Sequence, residues 1–560
     1  MATETGAATR PFIWEKSYPP GMRWDLPIPS RSLGDVLRQA VRDYASRPFL
    51  EYRDHSIDFA AFGRRAEGFA AALLRAGLGP GSTIALYLPN TPYHPIAFLG
   101  AALAGVRVTH LSPLDAEREL AHKLSDSGAS LLLTVDYPGL LGMALKLQAA
   151  GAVERLVVAS EAAWGLPAAA LMSLPQQPGL VGFDAFVAEA PLPVAWPEVK
   201  PEAVALLQYT GGTTGRAKGA MLTHANLTAA LAIYDEWYNG QGEQVSQRQR
   251  VIGVLPLFHI YALTTILLRQ LSAGGEILLR PRFDVETTLH DIEVKRATAF
   301  PGVPTMWIAL ANFPGIETRD FSSLEHCGSG GAPLPVEVAA RFEKLTGQRL
   351  GGGWGMTETS PAGTAHLKHG PHKPGSVGLP LPGIEMDVVA LDDPRRRLGP
   401  NQSGELRIKG PNVTPGYWNR PEETAASFVD GYFLTGDIGH MDADGYFYLV
   451  DRKKDMIISG GFNVYPQLIE QAIYEHPAVA EVLVIGVPDG YRGEAAKAFI
   501  TLRPGQAEFS LDELKQFLAD KIGRHEMPAA LEFRDALPRT PVGKLSKKEL
   551  RDEERAKTQG

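Results

Sequence analysis

Cysteine is almost absent from the 560 residues: Cys327 is the only one. An intrachain disulfide framework and a thiolate-rich metal cluster are therefore both excluded, and the chain suits a reducing compartment. The N-terminus, with Glu4 and no apolar run of signal-peptide length, does not read as a secretory leader, so the expected location is the cytoplasm. Neither charge sign dominates: 55 Lys and Arg against 63 Asp and Glu leave a formal charge of −8. That balance argues against a general binder of nucleic acid or of anionic membranes. Any polyanionic ligand has to be held locally. No internal repeat or low-complexity tract is evident, and no Gly-x-Ser-x-Gly occurs to suggest a serine hydrolase. Long hydrophobic runs are scarce as well. Residues 251–268 go eighteen positions without an Asp, Glu, Lys or Arg, but Pro256 interrupts them. They read as a buried strand, a turn and a buried helix rather than a membrane span, with a peripheral membrane contact left open.

What is present is a globular composition, 44% hydrophobic and 21% charged, in a chain long enough for several lobes. Apolar runs of strand length, such as Thr83 to Leu88, Ser130 to Val135, Arg155 to Ala159 and Glu276 to Leu279, alternate with helix-like segments such as Ala66 to Ala76. Strands apolar on both faces and separated by helices predict parallel sheets covered by helices. After about Ala390, shorter strands and turn signals predict a β-rich subdomain. Beyond the charge run Asp451 to Asp455, about 110 residues suffice for a small α+β domain. The fold class is thus α/β, with an N-terminal region over residues 1–450 and a C-terminal domain over 451–560.

Three glycine-rich stretches carry the chemistry. Tyr209-Thr210-Gly211-Gly212-Thr213-Thr214-Gly215-Arg216-Ala217-Lys218-Gly219 combines glycines, hydroxyls and one lysine directly after a buried strand, which is equipment for a phosphate chain. It is not the Walker pattern, because Gly219 follows Lys218 where that pattern has Ser or Thr. His326 to Pro333 and Gly351 to Thr359 are the other two. Their small residues let a flat ring approach the backbone, Trp354 could stack on it, and Glu358 is a carboxylate able to hold a hard cation. Together they describe a nucleotide pocket with magnesium.

These loops, with Tyr432-Phe433-Leu434-Thr435-Gly436-Asp437, Asp451-Arg452-Lys453-Lys454-Asp455 and Pro538-Arg539-Thr540-Pro541-Val542-Gly543-Lys544, resemble in order and spacing the adenylate-forming superfamily. Within it the chain looks most like the fatty-acyl-CoA ligases, over roughly residues 30 to 551. The resemblance implies an N-terminal adenylation domain and a mobile C-terminal domain. It implies two half-reactions: a carboxylic acid and ATP give acyl-AMP and pyrophosphate, then the thiol of coenzyme A takes the acyl group and AMP leaves. By the same resemblance Thr210, Gly211, Gly212, Thr213, Thr214, Gly215 and Lys218 would cradle ATP phosphates, and Thr357 with Glu358 would meet the α-phosphate and Mg2+. Gly331, Ala332, Pro333, Trp354, Gly355 and Met356 would enclose the adenine, while Asp437 and Arg452 would bind the ribose. Lys544 would stabilise charge developing between carboxylate and phosphate. Lys454 would be the hinge, and Gly460 and Gly461 would line the coenzyme A tunnel. His259 would lie near the reacting carboxylate, with Tyr261, Val303, Pro304 and Met306 along the acyl pocket. Three positions depart from the usual pattern: Trp354 stands for Tyr, Ala217 for Pro, and Gly352 for a larger residue, which bears on pocket width.

The expected reaction is activation of a medium- or long-chain fatty acid. Aryl or dicarboxylic acids, a basic side chain at the end of the pocket favouring the latter, and loading of a carrier protein are alternatives within the fold.

Overall fold

The computed structural model describes residues 10–188, 191–210, 217–241, 249–332, 334–371, 373–459, 462–540 and 544–559. The first sheet runs, in spatial order, through strands Leu350–Gly352, His326–Ser329, Ala299–Gly302, Arg250–Gly253, Glu276–Leu279, Pro48–Tyr52 and His55–Asp58. The second runs through Leu180–Gly182, Arg155–Ala159, Leu131–Val135, Thr83–Tyr87, Arg107–Leu111, Val204–Thr210 and Lys218–Thr223. Both are parallel except at one edge, where His55–Asp58 and Lys218–Thr223 fold back antiparallel. Parallel pairing was expected from the two-sided apolar strands. The hairpin edges were not, because a tight return leaves no 3.6-residue pattern to separate it from a crossover.

A third, antiparallel sheet includes Ser376–Pro380, Glu385–Val389, Gly404–Lys409, Tyr432–Met441 and Phe447–Arg452, the β-rich region anticipated after Ala390. Strand Phe447–Arg452 crosses the expected boundary near residue 450; the next strand, Ile457–Ser459, belongs to a fourth sheet with Phe462–Val464, Val479–Asp489, Gly493–Leu502 and Ala530–Phe533.

Helix Tyr93–Leu103 shows how the sheets are joined. All eleven of its residues are buried, so its helical period is invisible in the sequence. Gly100 lets it cross helix Phe59–Arg75, since a Cβ there would stand 2.7 Å from the Ala66 carbonyl oxygen. Residues 251–268 form a strand, the Pro256 turn and a helix whose Leu263–Leu268 portion is π-helical. No helix among the described residues is long and apolar enough to cross a membrane.

One buried charge network ties the first sheet together. Arg280, just past strand Glu276–Leu279, donates to Glu51 at 2.9 Å and to Asp291 at 2.7 Å, while Lys295 donates to Glu51 at 2.9 Å. Removing the central cation leaves buried Asp291 without its ion pair and Glu51 with Lys295 as its remaining cation. Arg280→Leu should lower stability by about 3 kcal/mol or more, read as a shift in the urea-unfolding midpoint.

Candidate active site

The site forms where several parallel strands of the first sheet end. Past strand Arg250–Gly253 come Leu255, Pro256 and His259; past Ala299–Gly302 comes Val303; past His326–Ser329 come Gly330 and Gly331. Loops beyond the carboxyl ends of parallel strands are the usual ligand position in open α/β sheets. Leu255, Pro256, His259, Tyr261, Ala262, Val303 and Lys544 surround one small cavity there. The Lys544 side chain thus arrives from the C-terminal domain, about 285 positions from His259 in sequence. It lies so close over Gly331 that a Cβ there would meet Lys544 Cε at 2.6 Å, and Gly331 also holds φ +79°. Glycine is required on both grounds. Burial and the neighbouring Arg452 guanidinium bring the Lys544 amine down to about 8.

Lys547 could not be separated from Lys544 by composition alone. In the structure its ammonium is tied to Glu470 at 2.9 Å within the C-terminal domain, so Lys544 is the one that reaches the cavity.

His259 is held in a defined tautomer. Its Nδ1 accepts from the Tyr261 N–H at 3.2 Å, which leaves the proton on Nε2. Burial, with the Lys544 charge nearby, pushes its pKa down to about 3. A neutral imidazole with an Nε2–H donor results. The segment carrying it is pinned by Asn90, whose side-chain amide donates to the carbonyls of Gly253, Leu255 and Arg280 and whose oxygen accepts from Leu257 N–H at 2.9 Å. Gln208 adds a 3.0 Å bond to the Phe258 carbonyl. Neither residue was singled out from the sequence: Gln208 lies in a strand of the second sheet, Asn90 in the loop after another of its strands, and neither carries a motif.

The nucleotide-side residues converge on Asp437. Strand register sets Asp437 opposite Arg452, whose Nε donates to its carboxylate at 2.6 Å. Trp354 Nε1 donates to the other oxygen at 2.7 Å. Burial nonetheless raises the Asp437 carboxyl above its ordinary range, against the pull of Arg452 and the indole N–H. Trp354 itself is 6% exposed and packs against Gly363. In this arrangement the indole N–H is committed to Asp437 and little of the ring is exposed.

Gly355 is equally constrained, since a Cβ there would lie 1.4 Å from the Pro361 carbonyl oxygen. A Cβ at Gly352 would meet the Ser329 carbonyl oxygen at 2.8 Å. Its smallness therefore serves strand packing, and the inference of a wider pocket from Gly352 does not follow. Thr357 opens a short 3-10 turn, next to Met356. Glu358, buried, accepts from the Tyr417 hydroxyl at 2.8 Å, and burial raises its carboxyl pKa. No cluster of three or more His, Cys, Asp or Glu suited to a metal occurs among the described residues. A cation at Glu358 would need ligands brought by the nucleotide phosphates.

Thr210 and Lys218 face each other across the antiparallel pair Val204–Thr210 and Lys218–Thr223. Gly211 to Gly215 and Arg216 between them, like Pro333, Gly460 and Gly461, lie outside the described residues. Lys218 pairs with Glu423 and lies over the Tyr417 ring. Ala332 follows Gly331 at the site, and Lys454 is exposed in the turn after Arg452. Of the expected acyl-pocket residues, Tyr261 and Val303 line the cavity, whereas Pro304 begins helix Pro304–Ala311 and Met306 packs into the core beside it.

The residue pattern of the AMP-binding enzyme family matches residues 37–418, and that of the AMP-binding enzyme C-terminal domain matches 468–544. The chain belongs to this family. More particularly, it is similar to the long-chain-fatty-acid–CoA ligase of Bacillus subtilis, 38% identical over 97% of this chain and 98% of that protein. It is also 37% identical to a feruloyl-CoA synthase from an Amycolatopsis species, over 89% of this chain and 94% of the other. Among solved structures, ATP-bound MatB from Rhodopseudomonas palustris superposes with a TM-score of 0.82 at 27% identity, covering 93% of this chain and 99% of that one.

The Asp437 geometry is testable. Trp354→Phe removes the indole donor and leaves a buried carboxylate oxygen unpaired, so AMP affinity measured calorimetrically should fall by about tenfold, with stability lowered by about 1–3 kcal/mol.

Proposed function

We propose that this protein is an AMP-forming acid–thiol ligase that activates a fatty acid through acyl-AMP to its coenzyme A thioester. The observation that carries the reading is the Lys544 amine, delivered from the C-terminal domain onto Gly331 in a cavity shared with His259. The relatives named for long-chain fatty acid and coenzyme A support the substrate class.

In the first half-reaction the acyl carboxylate attacks the α-phosphorus of ATP, and pyrophosphate leaves. Two anions must meet, so a cation positioned between them lowers the barrier by stabilising charge as it builds. Lys544 supplies that cation, and the neutral His259 Nε2–H donates to the carboxylate. Asp437 and Arg452 hold the ribose, with Trp354 keeping the Asp437 carboxylate in place. Glu358, fixed by Tyr417, would hold the magnesium that arrives with ATP. Lys218 exchanges Glu423 for the phosphates, together with Thr210 and the Gly211 to Gly215 turn.

In the second half-reaction the thiol attacks the acyl carbonyl and AMP departs. The same space cannot hold Lys544 and a thiol arm at once. The C-terminal domain therefore rotates about Lys454, which lies where the third sheet ends at Arg452 and the fourth has not begun. On this reading the domain division is the turn Lys453 to Asp455. Gly460 and Gly461 would then line the thiol's path. The proposed location is the cytoplasm, where the buried Cys327 thiol, pushed up to about 12 by its apolar surroundings, stays inert.

Lys544→Ala should reduce acid-dependent ATP–pyrophosphate exchange by at least a hundredfold while leaving thioester formation from supplied acyl-AMP and coenzyme A within a few-fold of wild type. Equal loss of both half-reactions would refute the assignment.

The amine's depressed pKa gives a second test. The cationic form is the active one, so kcat/KM for adenylation should fall as pH rises through about 8. In Lys544→Arg this limb should vanish from the accessible range, at lower absolute rate.

A further inference from the structure

Beyond the cavity, the acyl side of the molecule contains two buried charges that the reaction as described does not use. Arg269 is 7% exposed, and its Nε and Nη2 are buried without a hydrogen-bond partner. Its guanidinium lies 3.8 Å from the Tyr238 ring centroid. Asp235, one turn earlier on helix His224–Asn239, has a buried Oδ1 equally without a partner. Each would satisfy the other in a direct ion pair, yet among the described residues none forms between them. An unpaired donor set beside an unpaired acceptor is costly in a protein interior unless a third group completes both.

A succession of contacts connects these charges with the reacting end. Tyr261 lines the cavity with Lys544 and His259, and its ring lies flat on Gly330, where a Cβ would meet it at 2.8 Å. Gly330, Gly328 and His326 alternate along one face of the strand and its extension. His326 reaches the Tyr238 ring at 5.4 Å between centroids, and Tyr238 carries Arg269. A Cβ on Gly328 would meet nothing nearer than the Tyr261 hydroxyl at 3.8 Å, so the Tyr261 side chain runs over Gly330 towards Gly328 and would have to turn aside for a chain to follow this face. Four residues of strand span roughly 13 Å, the reach of a medium-length acyl chain.

We propose that Arg269 and Asp235 form a polar terminus of the acyl pocket and select acids that carry a hydroxyl at the end remote from the carboxylate. A hydroxyl is the group that fits both partners, since its oxygen accepts from the guanidinium while its proton goes to the Asp235 carboxylate. A methyl terminus would satisfy neither. A second carboxylate would satisfy Arg269 but face Asp235. The proposal rests on the ligase reading and names the acid class for the same site.

The full-length enzyme, with ATP and coenzyme A, should be assayed for kcat/KM on octanoate, decanoate and dodecanoate, and on the ω-hydroxy analogue of each. At the chain length that spans the pocket, wild type should favour the hydroxy acid by about tenfold or more, because a site built to hydrogen-bond a hydroxyl rejects the analogue lacking it. Arg269→Met should bring that ratio below one, Asp235→Asn should reduce it, and Arg269→Lys should restore part of it. Thermal midpoints of all three report whether they fold; should Arg269→Met not fold, the wild-type ratio and Asp235→Asn decide. Hydroxy acids poorer at every length, or a ratio indifferent to these substitutions, would mean that water alone bridges the two charges and would overturn the proposal. Failure of every acid in the panel, hydroxylated or plain, would instead overturn the ligase reading.

Discussion

One approach organises the molecule: a single ammonium group, carried by a domain of about a hundred residues, is set down on a glycine just past the end of a strand in the larger region. Everything around that contact reduces the freedom of the pieces that meet there. Gly331 has no side chain to obstruct Lys544, and its left-handed backbone is one that glycine adopts without strain. Arg452, near enough to depress the amine's pKa, belongs to the strand just before the turn from which the C-terminal domain departs. A shift of that strand therefore changes the Arg452–Asp437 pair and the lysine's surroundings together.

The surrounding framework explains why the approach is reproducible. Asn90 stitches the loop ahead of His259 to the second sheet through four hydrogen bonds. Preorganised polar groups of this kind cost no rearrangement at the moment of reaction, which is when electrostatic stabilisation counts most. The Arg280 network does the same for the outer strands, at the risk inherent in burying charges that depend on one another. The helix beyond His259 is built otherwise. Its π-helical segment Leu263–Leu268 ends at Arg269, a local irregularity of the sort often found where a helix is adapted to a site.

Much of the fold was legible because parallel strands buried on both faces leave apolar runs that no amphipathic surface element imitates. Leu131–Val135 and Arg155–Ala159 are examples. The wholly buried helix Tyr93–Leu103 was legible only in part, its period erased by burial on every side. The hairpin edges escaped for a related reason, since strand direction is set by a partner and not by the strand's own residues. Trp354 was readable as an aromatic beside a nucleotide loop, but whether its face or its N–H is used depends on Asp437, eighty-three positions away.

What the chain's residues determined unaided was chemical equipment: glycines where backbone must come close, hydroxyls and a lysine beside a buried strand, and too little cysteine for disulfides. These follow from local sterics and from the functional groups themselves, so order along the chain suffices to reveal them. Which lysine reaches the cavity, how His259 is protonated, that Gly352 is small for packing, and that two charges lie unpaired at Arg269 and Asp235 were decided only on folding. Each depends on the distance between groups remote in sequence and on their burial, and the electrostatic and steric energies are set by those two quantities.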